Sequence, residues 1–157
     1  MSGSRSAERF RRHAEELGVD LDIRTFPEGT RTAEDAARAI GVEVGQIVKS
    51  LVFMVGNESL VALTSGPNRA DTGRLSELAG GVPVRRADAE EARRVTGYPI
   101  GGTPPFGHPR PLRVLCDRDL LAHEEVWAAA GTPQTVFPIS PEDLVRLSGA
   151  EVADFRE

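Results

Sequence analysis

The sequence predicts a mixed α+β fold in which helices flank a sheet that is largely antiparallel or mixed. Segments with helical spacing alternate with short runs rich in Val, Leu and Ile, and several of the connections between them are hairpin-like. The chain has 157 residues, which suits one compact domain with a single core, and no repeat or linker divides it. We therefore expect one domain over residues 1–157.

The N-terminal segment is predicted to hold two helices separated by a short strand. Apolar residues recur at helical spacing over residues 6–17, and Gly18 provides a stop. Residues 21–26 are predicted to form the strand. Thr32 then begins the second helix, and Gly41 ends it.

A hairpin is the clearest prediction in the chain. Residues 47–55 and 60–64 are rich in Val, Leu and Ile, and the segment between them has the composition of a turn. A short helix is expected at residues 71–78, and a strand follows at residues 82–86.

The next segment combines a capped helix with an irregular stretch. Asp88 has the position of an N-cap, with Glu91 three residues later, and Gly97 closes the helix. Residues 96–111 are so rich in Gly and Pro that regular structure is excluded there. A strand is predicted at residues 112–116.

The C-terminal elements are less uniform in their signals. Residues 126–130 are predicted as a strand, although the longer segment 120–130 also fits a helix. The last helix begins at Ser140, because proline follows at its favoured first position, and it ends near Gly149. A short strand is expected at residues 152–155.

Composition restricts the class of protein and its location. The net charge of −5 argues against a general polyanion binder. No apolar run approaches the roughly 20 residues that cross a bilayer, and the N-terminus lacks the apolar segment of a signal peptide. The single cysteine, Cys116, permits no internal disulfide. We therefore expect a cytoplasmic protein that does not associate with membranes.

Lys49 is the first candidate for chemistry. The chain has 19 cationic side chains, and 18 of them are arginine. Because side chains alternate along a strand, Lys49 shares a face with apolar residues only, namely Ile47, Leu51, Phe53 and Val55. This pattern predicts that the ammonium points into the interior or a cleft, where it must either meet an anionic partner or line a wet pocket. An edge lysine that extends to solvent is the alternative.

The second candidate is the loop over residues 97–108, with the sequence Gly-Tyr-Pro-Ile-Gly-Gly-Thr-Pro-Pro-Phe-Gly-His. Glycines let the backbone approach a ligand closely, and prolines hold the surrounding chain rigid. Such a loop can present N–H groups to a carbonyl oxygen or a phosphate. A purely structural loop remains equally open. The spacing fits neither a Walker A loop nor a dinucleotide fingerprint.

Other sites receive little support from the sequence. The three histidines are scattered, so we expect no metal and no cofactor. Cys116 lies at the end of an apolar strand and is predicted to be a core residue, with a Cys-His nucleophile as the minor alternative. Asp117 and Asp119 have the positions of turn or cap residues.

The order of these features resembles the YbaK / prolyl-tRNA synthetase editing-domain family. The resemblance rests on the lysine strand around Lys49 and, some fifty residues later, on the Thr-Gly-Tyr-x-x-Gly-Gly-x-x-Pro-x-Gly loop at residues 96–107. The C-terminal pattern from Gly131 through Ser140 to Gly149 is also similar. The resemblance covers essentially the whole chain and implies a barrel-like mixed sheet surrounded by helices.

The resemblance also implies a function, which is deacylation of mischarged tRNA by a free-standing enzyme. The substrate would be tRNA(Pro) bearing Ala or Cys, the partner would be the acceptor end of aminoacyl-tRNA, and prolyl-tRNA synthetase is a further candidate partner. Lys49 would contact the terminal adenosine, and the loop would hold the ester carbonyl. Catalytic roles are thus expected for Lys49, Gly101 and Gly102. Substrate contacts are expected for Tyr98, Thr103, Pro104, Phe106, Gly107 and His108.

Two further expectations concern specificity and the class of function. A proline-rich loop with one aromatic residue, Phe106, is expected to form a rigid wall that admits only small side chains such as Ala, Ser or Cys. A non-catalytic module that binds an aminoacyl or nucleotide-like ligand through the same loop is the alternative to an enzyme. Turnover of charged tRNA would separate the two.

Overall fold

The computed structural model describes residues 2–27 and 32–157, and within them it has five helices and eight strands. The helices are α1 (Ser2–Glu16), α2 (Ala33–Ile40), α3 (Thr72–Leu78), α4 (Ala89–Thr96) and α5 (Pro141–Ser148). The strands are β1 (Arg24–Thr25), β2 (Val48–Val55), β3 (Glu58–Ser65), β4 (Val84–Arg86), β5 (Arg113–Asp117), β6 (Val126–Ala129), β7 (Thr135–Ile139) and β8 (Glu151–Ala153). Two short 3₁₀ helices cover Val44–Gln46 and Arg118–Ala122.

The strands form two sheets, which confirms the α+β prediction. One sheet has the order β4-β2-β3-β5-β8, and the other has the order β1-β7-β6. Pairing is antiparallel except where β5 joins β3 and β8, so the sheet is largely antiparallel as expected. A single parallel bridge between Ile47 and Trp127 links the sheets. They do not close on each other, so the expected barrel-like shape holds only loosely.

The hairpin of β2 and β3 is the centre of the larger sheet. Its register pairs Val48 with Ser65 at one end and Val55 with Glu58 at the other, across a turn that contains Gly56. Every residue of β3 from Leu60 to Ser65 is buried, since the strand lies between β2 and β5. Because the strand is buried on both faces, its sequence is a continuous apolar run, and this run is the pattern that predicted the strand.

Local capping signals fix the helix ends. The hydroxyl of Thr32 accepts a hydrogen bond from the Asp35 N–H at 3.0 Å at the start of α2. Asp88 and Glu91 form a reciprocal capping box on α4. The hydroxyl of Ser140 accepts a hydrogen bond from the Asp143 N–H at 3.1 Å at the start of α5. Each of these helices ends at a glycine in the left-handed conformation, namely Gly41, Gly97 and Gly149.

Several element bounds differ from the sequence-based expectation. The first helix begins at Ser2, four residues earlier than predicted, and the first strand shrinks to two residues. The segment around residues 120–130 resolves into a 3₁₀ helix followed by β6, so the helical alternative is wrong. Strand β7 was not predicted, and it contains Pro138, a residue that is uncommon inside strands.

The main core lies beneath both sheets and includes the N-terminal helix. Phe10 of α1 packs against Phe106 and Phe137, with ring centroids 5.3 Å away in both cases. A second cluster around Phe53, Leu75 and Phe155 covers the opposite side of the larger sheet. None of the described helices combines the length and apolar character that a membrane crossing requires.

Candidate active site

A cleft of about 440 Å³ opens where the two sheets fail to close. Ile47, directly before β2, forms the bridge with Trp127 of β6, and beyond it both strands contribute residues to the cleft walls. Strand β4 pairs with β2 only from Phe53 onward, so the preceding part of that edge has no strand partner on this side in the described chain. The start of α2, the turn after β3 and the glycine-rich loop complete the walls.

Lys49 is among the residues that line this cleft. The residue is half-buried, and its Nζ donates a hydrogen bond to the main-chain oxygen of Asn68 at 2.6 Å. Burial lowers the pKa of Lys49, because desolvation penalises the ammonium. The negative charge of Glu34 opposes this shift, whereas the positive charges of Arg86 and Arg69 add to it.

The partner of Lys49 is held in place by a polar network that the sequence did not predict. The Asn68 side-chain amide donates to carboxylate oxygens of both Asp117 and Asp119 at 2.8 Å. Asp117 also accepts the Ser65 N–H at 3.0 Å, and Asp119 accepts from Arg156 at 2.9 Å. These bonds fix the turn after β3, so the Asn68 carbonyl oxygen is held at a defined position facing Lys49.

This network gives the two aspartates a larger role than the expected turn or cap. Asp117 does cap the 3₁₀ helix through the Asp119 N–H, as its position indicated. It is also almost completely buried. The hydrogen bond from Asn68 lowers the pKa of Asp119. The two carboxylates therefore connect β5 to the cleft through Asn68.

Only part of the glycine-rich loop reaches the cleft. Ile100, Gly101 and Thr103 line it. Gly101 has a φ of +85°, which favours glycine, and the nearest atom to an added Cβ would be in Pro133 at 3.9 Å. Among the described residues, the main-chain N–H groups of Gly101 and Thr103 have no hydrogen-bond acceptor. Because both residues line the cleft, these two N–H groups are candidates for contact with an oxygen atom of a ligand.

Gly102 has a different role in the loop. Its N–H donates to the Pro99 oxygen at 3.0 Å, and its own oxygen accepts from the Gly131 N–H at 2.9 Å. A Cβ on Gly102 would lie 2.7 Å from the Thr132 Cα, closer than real contacts allow. Gly102 is absent from the cleft lining. Packing therefore requires glycine at this position, because the loop approaches the Thr132 backbone closely.

The remaining loop residues lie outside the cleft lining and belong to the core or to another surface. Tyr98 is completely buried, and the Arg9 guanidinium lies over its ring at 4.5 Å. Phe106 packs in the aromatic core, so it does not form the expected wall of the pocket. Substrate contacts were also expected for three further loop residues. None of them is in the cleft lining, namely Pro104, Gly107 and His108.

His108 and Cys116 have environments that differ from those of reactive groups. His108 Nε2 lies 2.9 Å from the Pro104 oxygen, and burial lowers the pKa of this histidine. Cys116 is completely buried, which raises the pKa of its thiol to about 12. A thiol protonated at neutral pH is a poor nucleophile. In the described part of the chain, no three His, Cys, Asp or Glu residues lie together as metal ligands would.

Comparison with known proteins gives a consistent set of matches. The family model described as the aminoacyl-tRNA editing domain matches residues 27–147. The solved structure of a proposed trans-editing enzyme for prolyl tRNA synthetase is 48% identical, with a TM-score of 0.92 and 97% of each chain covered.

Two curated relatives show how this type of chain occurs elsewhere. EbsC of Enterococcus faecalis, a proposed Cys-tRNA(Pro)/Cys-tRNA(Cys) deacylase, is 26% identical over 78% of this chain and 76% of its own. The proline--tRNA ligase of Maridesulfovibrio salexigens is 32% identical over 68% of this chain. The match spans only 18% of that ligase, so the similarity is to a segment of a larger enzyme.

Proposed function

This chain belongs to the aminoacyl-tRNA editing domain family, and we propose that it acts in trans as a deacylase of mischarged tRNA. The substrate we infer is tRNA(Pro) esterified with a small amino acid such as Ala or Cys. Residues 1–157 would act as one domain in the cytoplasm. The acceptor end of the tRNA is the proposed partner, and prolyl-tRNA synthetase is a further candidate.

The observation that carries this proposal is the pairing of Lys49 with free loop amides across one cleft. Lys49 supplies a positive charge on the β2 side, and another wall is lined by Gly101 and Thr103, whose N–H groups have no acceptor in the described chain. An aminoacyl ester presents an anionic phosphate on the nucleotide side and a carbonyl oxygen on the amino-acid side. The cleft therefore offers a cation for the phosphate and N–H donors for the carbonyl oxygen.

The proposed reaction needs no nucleophile from the protein. A water molecule attacks the ester carbonyl carbon, and negative charge develops on the carbonyl oxygen. The amides of Gly101 and Thr103 would stabilise that oxyanion, an interaction that is stronger in the transition state than in the ground state. The bond from carbonyl carbon to ribose oxygen then breaks. The ribose oxygen takes up a proton, and free amino acid and tRNA result.

Selection of the amino acid by size is proposed to depend on walls other than Phe106. The cleft is lined by Ile47, Trp127 and Val136, which are large or branched and largely buried. A hydrolytic site of this kind can act as a second sieve, because a hydrophobic pocket alone discriminates weakly between similar small side chains.

A panel of charged tRNAs tests the proposed function. Purified protein is incubated with Ala-tRNA(Pro), Cys-tRNA(Pro), Pro-tRNA(Pro) and a correctly charged Ala-tRNA(Ala), and the loss of each ester is followed. We expect multiple turnovers on one or more mischarged tRNA(Pro) species and protection of Pro-tRNA(Pro). Stoichiometric binding without ester loss on any of them would contradict the enzyme and support a binding module.

A further inference from the structure

Three cationic side chains from separate parts of the chain meet at the cleft. Lys49 comes from β2, Arg86 from the end of β4, and Arg69 from the turn after β3. Both arginines act electrostatically on Lys49 and help to lower its pKa, so their charges lie within reach of its ammonium. Three like charges in one place repel one another, which suggests that an anion belongs there.

The sheet register explains how Arg86 reaches this position. Arg86 pairs with Phe53 across β4 and β2, and directly opposed residues share one face of a sheet. Phe53 lies on the same face as Lys49, four residues away on β2. The Arg86 guanidinium lies 5.7 Å from the centre of the Phe53 ring. The aromatic ring thus supports the planar cation beside the cleft.

Arg69 is placed by the same turn that holds the partner of Lys49. It follows Asn68, whose side chain is fixed by Asp117 and Asp119. The Arg69 main-chain oxygen also accepts a hydrogen bond from the Glu157 N–H at 2.9 Å. The backbone that carries Arg69 is therefore anchored on both sides, while its side chain remains exposed at the cleft.

Neither arginine has a carboxylate partner among the described residues. Seven other arginines do form ion pairs, namely Arg24, Arg38, Arg74, Arg85, Arg113, Arg146 and Arg156. Burial lowers the pKa of Arg86, and no negative charge among the described residues opposes this shift. Glu34 is the one acidic residue in the cleft lining of the described chain, against three cations.

We propose that Arg69 and Arg86 bind phosphate groups of the single-stranded 3′ end of the tRNA substrate. The guanidinium fork matches phosphate oxygens, and the cation–π contact with the Phe53 ring favours this position of the Arg86 guanidinium. This inference rests on the proposed function. It explains how a protein with a net charge of −5 binds a polyanion, since the positive charge is concentrated at the cleft.

The test compares two double variants with the same change in net charge. Arg69→Ala/Arg86→Ala removes the proposed phosphate contacts. Arg38→Ala/Arg146→Ala removes two exposed arginines that are paired with Asp35 and Asp143 within their own helices and lie outside the cleft lining. KM and kcat for deacylation are measured for each protein at several salt concentrations. Circular dichroism and Tm establish that both variants fold.

We expect KM to rise about tenfold or more in the cleft variant, with kcat changed much less. The slope of log KM against log salt concentration should become shallower by about 0.7 for each arginine removed, as for phosphate contacts to a single strand. The control variant should keep the wild-type slope. The inference is overturned if the slope is unchanged in the cleft variant, or if KM rises equally in the control variant. Neither result affects the proposed function, because the wild type would still deacylate tRNA.

A second measurement does not depend on catalysis. Binding of a short single-stranded RNA ending in CCA is followed by fluorescence anisotropy for the wild type and both variants. Weaker binding confined to the cleft variant supports the phosphate contacts even if no charged tRNA is hydrolysed, in which case only the proposed reaction is wrong. Equal binding by all three proteins contradicts the inference.

Discussion

The Lys49 ammonium and the Asn68 carbonyl oxygen lie 2.6 Å apart, and this contact joins strand β2 to the turn after β3. A carbonyl oxygen is a neutral partner, so it orients the ammonium without cancelling its charge. The pKa of Lys49 is lowered by burial. The charge is therefore oriented and remains available to an anionic group of a ligand.

The first prediction is that Lys49→Ala lowers the deacylation rate about 100-fold or more, the scale observed when one stabilising group is lost from an active site. Lys49→Arg should recover little activity, because a planar fork does not replace a compact ammonium in a confined space. Rates are measured under single-turnover conditions, with Arg146→Ala as the control. Wild-type activity in Lys49→Ala would rule out a role for this residue in the reaction.

The second prediction separates two adjacent glycines by their effects on stability and activity. Gly102→Ala places a Cβ against the Thr132 backbone, so we expect Tm to fall markedly, with a loss of about 1–3 kcal/mol typical of overpacking. Gly101→Ala meets no close atom, and the strain of its positive φ costs about 1–2 kcal/mol. In a Gly101→Ala protein that is still folded at the assay temperature, the deacylation rate should fall by more than the loss of folded protein can explain. A Gly102→Ala protein of wild-type Tm would contradict the packing role.

These two glycines show where inference from sequence stops. The helix ends and the hairpin were predictable because Thr32, Asp88, Ser140 and the turn at Gly56 act on residues close in the chain. The face of β2 on which Lys49 lies was predictable, because the alternation of side chains along a strand depends only on local sequence. Which glycine packs on Thr132 depends on a contact thirty residues away along the chain, and sequence spacing does not encode it.

The polar network of Asn68 was hidden for a similar reason. Asn68 lies in a Gly-Pro-Asn turn that has no catalytic signature. Its contact with Asp117 arises because β3 and β5 pair in parallel, with Leu63 opposite Cys116. Parallel pairing depends on a long connection, so its register is set by tertiary packing rather than by a turn. Phe106 lies in the core, where a pocket wall was expected, because it packs against Phe10 and Phe137, which are distant from it in the chain.

The third prediction concerns stability at low pH. Burial lowers the pKa of His108 below its ordinary value, and the hydrogen bond with Pro104 opposes the shift only in part. The unfolded chain then binds more protons than the folded chain as the pH falls below about 6.5, so the free energy of unfolding should decrease with decreasing pH. Urea unfolding at pH 7 and pH 5 measures this decrease. In His108→Gln, whose amide can also donate to the Pro104 oxygen, the decrease should be smaller. An identical pH dependence in both proteins would falsify the assignment to His108.

The fourth prediction is that deacylation does not depend on a metal ion. The proposed reaction uses water, main-chain amides and Lys49, and the described residues offer no ligand group of the kind that holds zinc. Dialysis against a chelator specific for transition metals should leave the rate unchanged, with magnesium kept constant to preserve the tRNA. Loss of activity that returns on adding back zinc would show that a metal takes part.

The last prediction concerns the bond-breaking step and Cys116. Because burial raises the pKa of the Cys116 thiol to about 12, it stays protonated at neutral pH and cannot serve as the nucleophile. Cys116→Ser and Cys116→Ala should therefore retain wild-type kcat on Ala-tRNA(Pro), with any loss confined to Tm because the residue is completely buried.

Mass spectrometry of the released product then identifies the attacking group. Free alanine released by an active Cys116→Ala protein would establish attack by water, because that protein has no thiol at this position. With Cys-tRNA(Pro), the substrate thiol can itself attack the ester carbonyl and release a cyclic thioester, with the ribose oxygen as leaving group. Activity limited to Cys-tRNA(Pro) with that cyclic product would replace the hydrolytic reaction proposed here. A folded Cys116→Ser protein without activity on any substrate would instead restore the cysteine as nucleophile.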